Sequence, residues 1–269
     1  MSVILCFSGI DPCGGAGLIA DIETFAALGC HTLAIPTSST AQNFSRVAAV
    51  FPHPIEWMEK QWQLLFEDSF LIKQVQVVKL GLIANTEQLK WIAKKLYLLQ
   101  EKNSHFKLVI DPVMRSGSGQ DLTEKIKPEN FRTIFDAFEP LWTPNTHEFL
   151  ALNNSTDLSE KSFFHYAEKM SENALGVLLT GTHAATTEVI NKLWWRDSEK
   201  LNYLDWTWQR LAHEFHGSGC TLASACAAFL AKGLTVRFAC EQAQQWTYQA
   251  LENGIVLGTG QAQPRRIHF

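Results

Sequence analysis

The sequence predicts an α/β fold, a three-layer α/β/α sandwich with a mostly parallel central sheet. Three observations carry that prediction: short apolar runs of strand length recur along the chain, helical stretches separate them, and several runs end in polar or glycine-rich turns. With 46% hydrophobic and 19% charged residues over 269 positions, the chain can bury a sizeable core, which excludes intrinsic disorder. No internal repeat, low-complexity tract or long Pro/Ser linker divides it, so a single domain over 1–269 is expected.

Taken in order, residues 3–7 form a continuous apolar run that suits a strand buried on both faces, and residues 15–28 then read as a helix. Strand-like runs follow at 32–36, 75–80, 108–110, 141–143 and 177–179. The clearest helix is 86–102, where Leu89, Ile92, Leu96 and Leu99 share one face while Lys90, Lys94, Lys95 and Glu101 fall off it. Residues 189–211 carry Trp194, Trp195, Trp206 and Trp208, and the alternation Leu204, Trp206, Trp208 suggests a hairpin with one covered face. A stacking site for adenine and a dimer contact are the other readings of that stretch. Residues 222–230 are small and apolar enough for a tightly packed helix.

Composition excludes several partners. Twenty-three basic against twenty-seven acidic side chains give a formal charge of −4, so there is no cationic excess for a nucleic acid or an anionic membrane. No run approaches the roughly 18 apolar residues that span a bilayer. Residues 1–7 lead straight into Ser8-Gly9-Ile10-Asp11 without the basic start and cleavage site of a secretory signal, so a cytoplasmic protein is expected. Six cysteines without a Cys-x-x-Cys pair point to reduced thiols.

In a parallel α/β sheet, ligands sit outside the carboxyl ends of the strands, so the turns there are where chemistry is expected. The sharpest is His216-Gly217-Ser218-Gly219-Cys220-Thr221, ahead of the 222–230 helix. Glycines before a helix leave backbone N–H groups bare, and the helix start adds partial positive charge, which together make an anion site. Cys220 falls in that first turn, where the same field should lower a thiol pKa. In the first turn, Gly9, Gly14, Gly15 and Gly17 lie within nine positions and would let a flat ligand approach backbone; a purely structural turn fits equally well. Asp111 and Glu148 follow two different strands and could hold Mg²⁺ directly or through waters, or could be a cap and a surface ion pair. Asn145 could likewise serve the site or be a plain cap. Asp21, inside an apolar helix, faces either solvent or a ligand.

Together these segments resemble the hydroxymethylpyrimidine and phosphomethylpyrimidine kinases of thiamine biosynthesis, members of the ribokinase-like superfamily. That family's opening Gly-Ser-Asp-Pro-Ser-Gly-Gly-Ala-Gly-Ile-Gln-Ala-Asp is similar to residues 9–21, and Thr-Ala-Gln-Asn stands at 40–43. Asp-Pro-Val-Met stands at 111–114, Thr-Pro-Asn-x-x-Glu at 143–148, and His-Gly-Thr-Gly-Cys-Thr at 216–221 with one Thr-to-Ser change. The resemblance implies phosphoryl transfer from MgATP to 4-amino-5-hydroxymethyl-2-methylpyrimidine and then to its monophosphate. It implies that Asp21 and Gln42 hydrogen-bond the aminopyrimidine, with Gly9, Leu82 and Val113 as walls against the ring. Cys220 would be the base that takes the hydroxymethyl proton, and Gly217, Ser218 and Gly219 the anion hole. Asp111 and Glu148 would face Mg²⁺, while Asn145, Thr180, Gly181 and His216 would lie on the ATP side. A homodimer is common in the superfamily.

Departures from the pattern are Ile10, Cys13, Ile19 and Leu82, and, more consequentially, Thr180 where the family's Val-Lys-Gly-Gly-His carries lysine. Lys192 or Arg210 could supply the missing cation. The rival readings are a pyridoxal kinase of the same superfamily and a relative that binds the pyrimidine without turnover.

Overall fold

The computed structural model describes residues 1–67, 69–115, 120, 122–123, 126–181, 186–198 and 200–267. In chain order the elements are β1 (Ser2–Ile10), α1 (Gly17–Ala27), β2 (Cys30–Gln42), β3 (Val47–Pro52), α2 (Ile55–Leu65), α3 (Ser69–Gln74), β4 (Val75–Leu80), α4 (Thr86–Lys102), β5 (Lys107–Ile110) and α5 (Pro128–Phe135). They continue with β6 (Leu141–Trp142), α6 (Thr146–Leu152), α7 (Glu160–Met170), β7 (Gly176–Leu179), β8 (Glu188–Asp197), β9 (Lys200–Gln209), α8 (Ser218–Ala231) and α9 (Val236–Glu252). The strands form one nine-stranded sheet in the order β3-β2-β1-β4-β5-β6-β7-β8-β9. From β2 through β7 every pairing is parallel, while β3 on one side and β8 and β9 on the other run antiparallel.

Both sheet faces are covered, which is why the parallel strands read as continuous apolar runs. Successive residues of β1 serve opposite layers: Leu5 and Phe7 join one core cluster, Ile4 and Cys6 the other. The second cluster includes Ala223, Ala225, Ala227 and Ala228 of α8, all fully buried; their small side chains let the helix lie close to the sheet and to α1 and α9. On the first side, α4 buries Leu89, Ile92, Leu96 and Leu99 as its periodicity requires. Lys95 departs from expectation by being buried too. Its Nζ meets Glu59 at 2.7 Å and lies 5.5 Å from the Trp62 ring centre and 5.4 Å from that of Trp91, so a paired ammonium serves as part of an aromatic layer.

Two boundaries matter for the site. The strand expected over 3–7 runs on to Ile10, so the first turn begins at Asp11 instead of Ser8. Strand β2 extends to Gln42 and folds back with β3, an antiparallel extension that the apolar run 32–36 did not announce. Beyond the strand ends, backbone bonds continue the alignment: Gly81 N donates to Phe7 O at 2.8 Å, Asp111 N to Leu80 O at 2.9 Å, Thr143 N to Ile110 O at 3.0 Å and Thr180 N to Pro144 O at 3.0 Å. The turns expected to carry chemistry therefore stand in one row along the carboxyl edge of the sheet.

The tryptophan-rich stretch is the expected hairpin, registered from Glu188 opposite Gln209 to Asp197 opposite Lys200. Its rings are engaged internally: Trp194 packs on Phe164 and Tyr203, and Trp208 stacks on Tyr248 at 5.1 Å.

Candidate active site

Helix α8 begins at Ser218 after Gly217, which has φ +81° and no side-chain cap. A Cβ on Gly217 would collide with Gly15 O, so only glycine permits this approach of the α8 start to the first loop. The N–H groups of Ser218, Gly219 and Cys220 lie in the first helical turn, where no intrahelical acceptor exists. A Cβ on Gly219 would meet nothing within 4 Å, so that side of the helix start is open.

Cys220 stands in that turn as expected, partly exposed, with its thiol lying among protein atoms near the Asp111 carboxylate. Burial, and then the Asp111 charge, push the thiol well above its ordinary pKa; Lys79 opposes them. The direction is thus opposite to the expected lowering: desolvation and the nearby carboxylate raise the thiol.

Beneath lies a buried charge cluster centred on Lys79. Its Nζ sits 2.9 Å from Asp21 Oδ1 and 3.9 Å from Asp111 Oδ2. Burial disfavours the ammonium, but the Asp21 carboxylate and its neighbours hold Lys79 firmly charged. Asp21, fully buried, also accepts from Ser224 Oγ at 2.7 Å and Cys6 Sγ at 3.3 Å. Of the two sequence readings of Asp21, the solvated face is overturned by its full burial, and both its oxygens accept from protein groups. Lys79 went unassigned in the sequence, although a lysine inside the apolar run 75–80 was a visible signal.

Asp111 and Glu148 form a carboxylate pair. Glu148 N donates to Asn145 Oδ1 at 3.0 Å and Asn145 N to Glu148 Oε2 at 2.9 Å, a reciprocal cap that fixes the start of α6. Burial, then the Asp111 charge, push Glu148 up to about 8. Buried Asp111 Oδ2 has no hydrogen-bond partner. Two mutually repelling carboxylates with an unused oxygen fit a hard divalent cation. No group of three or more His, Cys, Asp and Glu side chains able to hold a metal occurs among the described residues, so other oxygens would have to complete a shell.

The first loop is organised by Asp11. Its Oδ1 accepts from Cys13 N at 2.8 Å, and Oδ2 from Ala16 N at 2.9 Å and His216 Nε2 at 2.9 Å. Although burial works against it, the bond from His216, the nearby Gln42 side chain and the bond from Cys13 hold this carboxyl down to about 2. His216, expected on the ATP side, ties the loop to the segment before α8 through Asp11, and its ring fills the space that a Cβ on Gly15 would need. Gln42 is half-buried beside Asp11. Gly9 faces Leu82: a Cβ there would be 2.9 Å from Leu82 Cδ2. Half-buried Val113 follows Asp111, its N–H donating to Asp111 O at 2.8 Å.

Arg266, which no sequence signal marked, closes the loop from behind. Buried, it donates through Nε to Thr221 Oγ1 at 2.8 Å, through Nη1 to Gly14 O at 3.1 Å and Glu23 Oε2 at 3.0 Å, and through Nη2 to Gly15 O.

On the other flank, Thr180 bridges to Asn145, and Gly181 N donates to Asn191 Oδ1 at 3.1 Å. Thr182 and His183 of the expected motif lie outside the described residues. Lys192 Nζ is drawn to Glu160 at 2.7 Å, and Arg210 Nε donates to Thr186 O at 2.6 Å, so these contacts place neither cation at Thr180.

Comparison with known proteins places this geometry. The phosphomethylpyrimidine kinase family matches residues 11–265. A hydroxymethylpyrimidine/phosphomethylpyrimidine kinase of Aquifex aeolicus is 31% identical over 261 residues, 96% of this chain and 97% of that protein. One from Streptomyces coelicolor is 30% identical, covering 96% of this chain and 91% of that protein. Among solved structures, a phosphomethylpyrimidine kinase from Clostridium difficile 630 superposes with TM-score 0.74 at 26% identity over 93% of this chain and all 100% of its own. A pyridoxal kinase from Staphylococcus aureus, in complex with AMP-PCP and pyridoxal, gives TM-score 0.81 at 22% identity over 99% of this chain and 94% of its own, a likeness of fold.

Proposed function

The chain belongs to the phosphomethylpyrimidine kinase family and is a phosphotransferase, and from that premise we propose that it phosphorylates 4-amino-5-hydroxymethyl-2-methylpyrimidine and then its monophosphate, using MgATP, in thiamine biosynthesis. This reading takes residues 1–269 as one domain acting in the cytoplasm.

The observation that supports it is Cys220, near Asp111, in the first turn of a helix whose leading N–H groups have no intrahelical acceptor. Phosphoryl transfer asks a protein chiefly for positioning and for stabilisation of charge on the migrating group, and the N–H groups of Ser218, Gly219 and Cys220 supply the second. Cys220 takes the proton of the attacking hydroxymethyl oxygen, a contribution of about 10²–10⁴ in rate. Asp111 and Glu148 would hold Mg²⁺, which would neutralise phosphate charge and offset the carboxylate charge that raises the Cys220 thiol. Lys79 and Asp21 act from below, by holding Asp111 in place. Gly9, Leu82 and Val113 wall the ring, and Gln42 meets its polar edge. Asn145, Thr180 and Gly181 lie toward ATP, with the Thr180 hydroxyl offering phosphate a neutral donor in place of the family's lysine.

The test is ADP release by the purified protein with MgATP and, separately, hydroxymethylpyrimidine, its monophosphate or pyridoxal. Turnover with both pyrimidines, and a diphosphate product by mass spectrometry, is expected. ADP formed with pyridoxal alone, or tight pyrimidine binding without ADP, would overturn the reading in favour of the pyridoxal kinase or the silent binder.

A further inference from the structure

Gly181 lies just past β7, and two observations fix its place. A Cβ there would collide with Ile190 O, so only glycine lets this turn come so close to β8. Its N–H donates to Asn191 Oδ1 at 3.1 Å. Buried Asn191 hands the contact on, its Nδ2 donating to Gln244 Oε1 at 2.9 Å. Gln244, on α9 and also buried, accepts at the same oxygen from Trp208 Nε1 at 3.2 Å and donates through Nε2 to Cys240 O at 3.1 Å.

The direction of this relay is forced. A backbone or indole N–H can only donate and a backbone carbonyl can only accept, so Trp208 and Cys240 fix which half of the Gln244 amide points where. That choice fixes the Asn191 amide in turn, and Oδ1 is left facing Gly181. Neither amide can flip without setting donor against donor or acceptor against acceptor in a buried place. On its other side the turn adjoins the carboxylate pair: Thr180 N donates to Pro144 O at 3.0 Å, and Thr180 bridges to Asn145, whose reciprocal cap holds Glu148.

We infer that Asn191, oriented by Gln244, is a positioning residue for the nucleotide, setting the Thr180–Gly181 turn so that the Thr180 hydroxyl meets a phosphate oxygen. The inference rests on the reading above that Thr180 and Gly181 lie toward ATP. The Gly181 N–H is occupied by Asn191, which leaves the hydroxyl as the group this turn offers. A lysine at 180 would carry a point charge on a flexible stem that can follow a phosphate, whereas a threonine hydroxyl is short and its bond is directional. Its backbone therefore has to be placed by something else. Asn191 and Gln244 touch no nucleotide themselves and act through the turn.

The test measures KM for ATP, KM for the pyrimidine and calorimetric binding of the non-hydrolysable analogue AMP-PCP in the wild-type protein and three variants. Asn191→Leu removes both polar contacts at similar size. It should raise KM for ATP and Kd for AMP-PCP by about 3–10-fold while the pyrimidine KM moves by less than about twofold. Gln244→Leu leaves Asn191 in place but unoriented, and should move the same two constants in the same direction. Trp208→Phe should leave them unchanged, because Cys240 O still orients Gln244. A merely structural role predicts a lower melting midpoint with the nucleotide constants unmoved; that result, or both KM values rising together, would overturn the inference. An effect of Trp208→Phe as large as that of Gln244→Leu would also overturn it, since hairpin packing would then set the turn. A wild-type protein that binds AMP-PCP but releases no ADP with the pyrimidine sinks the substrate reading alone. One that does not bind AMP-PCP sinks the ATP-side reading, and this inference with it. Should Asn191→Leu not fold, Gln244→Leu carries the same comparison.

Discussion

Cys220 shows how position and chemistry part company at the scale of a residue. Its place at a helix start is written in Gly-Ser-Gly-Cys, but its proton affinity is raised by burial and by Asp111, 109 positions earlier, against the pull of Lys79, none of which local spacing encodes. Replacing Cys220 with Ser keeps the size of the side chain while removing the ionisable thiol. We expect kcat to fall by about 10²–10⁴ with an unchanged thermal melt, and undiminished turnover would exclude a proton-transfer role. Glu148 gives a test by pH. Its folded pKa lies above its ordinary value, so the folded state holds the extra proton between about 4.5 and about 8, and stability declines as pH rises through that window. One proton corresponds to a slope of about 1.4 kcal/mol per pH unit. In EDTA, melting midpoints at pH 6 and pH 8.5 should differ more for the wild-type protein than for Glu148→Gln; equal differences would show that Glu148 does not carry this proton.

At the scale of elements, the apolar runs at 75–80, 108–110 and 177–179 and the helix at 86–102 were legible because periodicity reports burial, and burial is what these elements share. The β2–β3 extension was less so: the polar side chains of Ser38, Ser39 and Thr40 in the strand hide pairing that depends on backbone bonds alone. The same contrast separates two glycines of one motif. Gly217 combines a left-handed backbone with a close approach to Gly15 O, whereas a Cβ on Gly219 meets nothing. Gly217→Ala should cost about 3 kcal/mol or more and abolish turnover, and Gly219→Ala should leave the melting midpoint near that of the wild-type protein. Calorimetry of the two variants decides it, and equal midpoints would refute the packing of the loop against α8.

Across the whole molecule, the site draws on residues from both ends of the chain, and this is where the sequence was least informative. Asp21, Lys79 and Ser224 meet through the sheet, and Arg266 reaches Gly14 and Gly15, but none of these pairs leaves a spacing to find. Arg266→Met keeps bulk while removing every donor. We expect about 2–4 kcal/mol of destabilisation, because the carbonyls of Gly14 and Gly15 and the Glu23 carboxylate lose their partner. Urea unfolding measures it, and a loss under about 0.5 kcal/mol would mean that the clamp is idle. The same clamp has a consequence for biosynthesis. Gly14 and Arg266 lie 252 positions apart, so a growing chain can pair the strands between them while its first loop is still untied. A polypeptide stopped before Arg266 would keep its sheet yet leave that loop without its anchor.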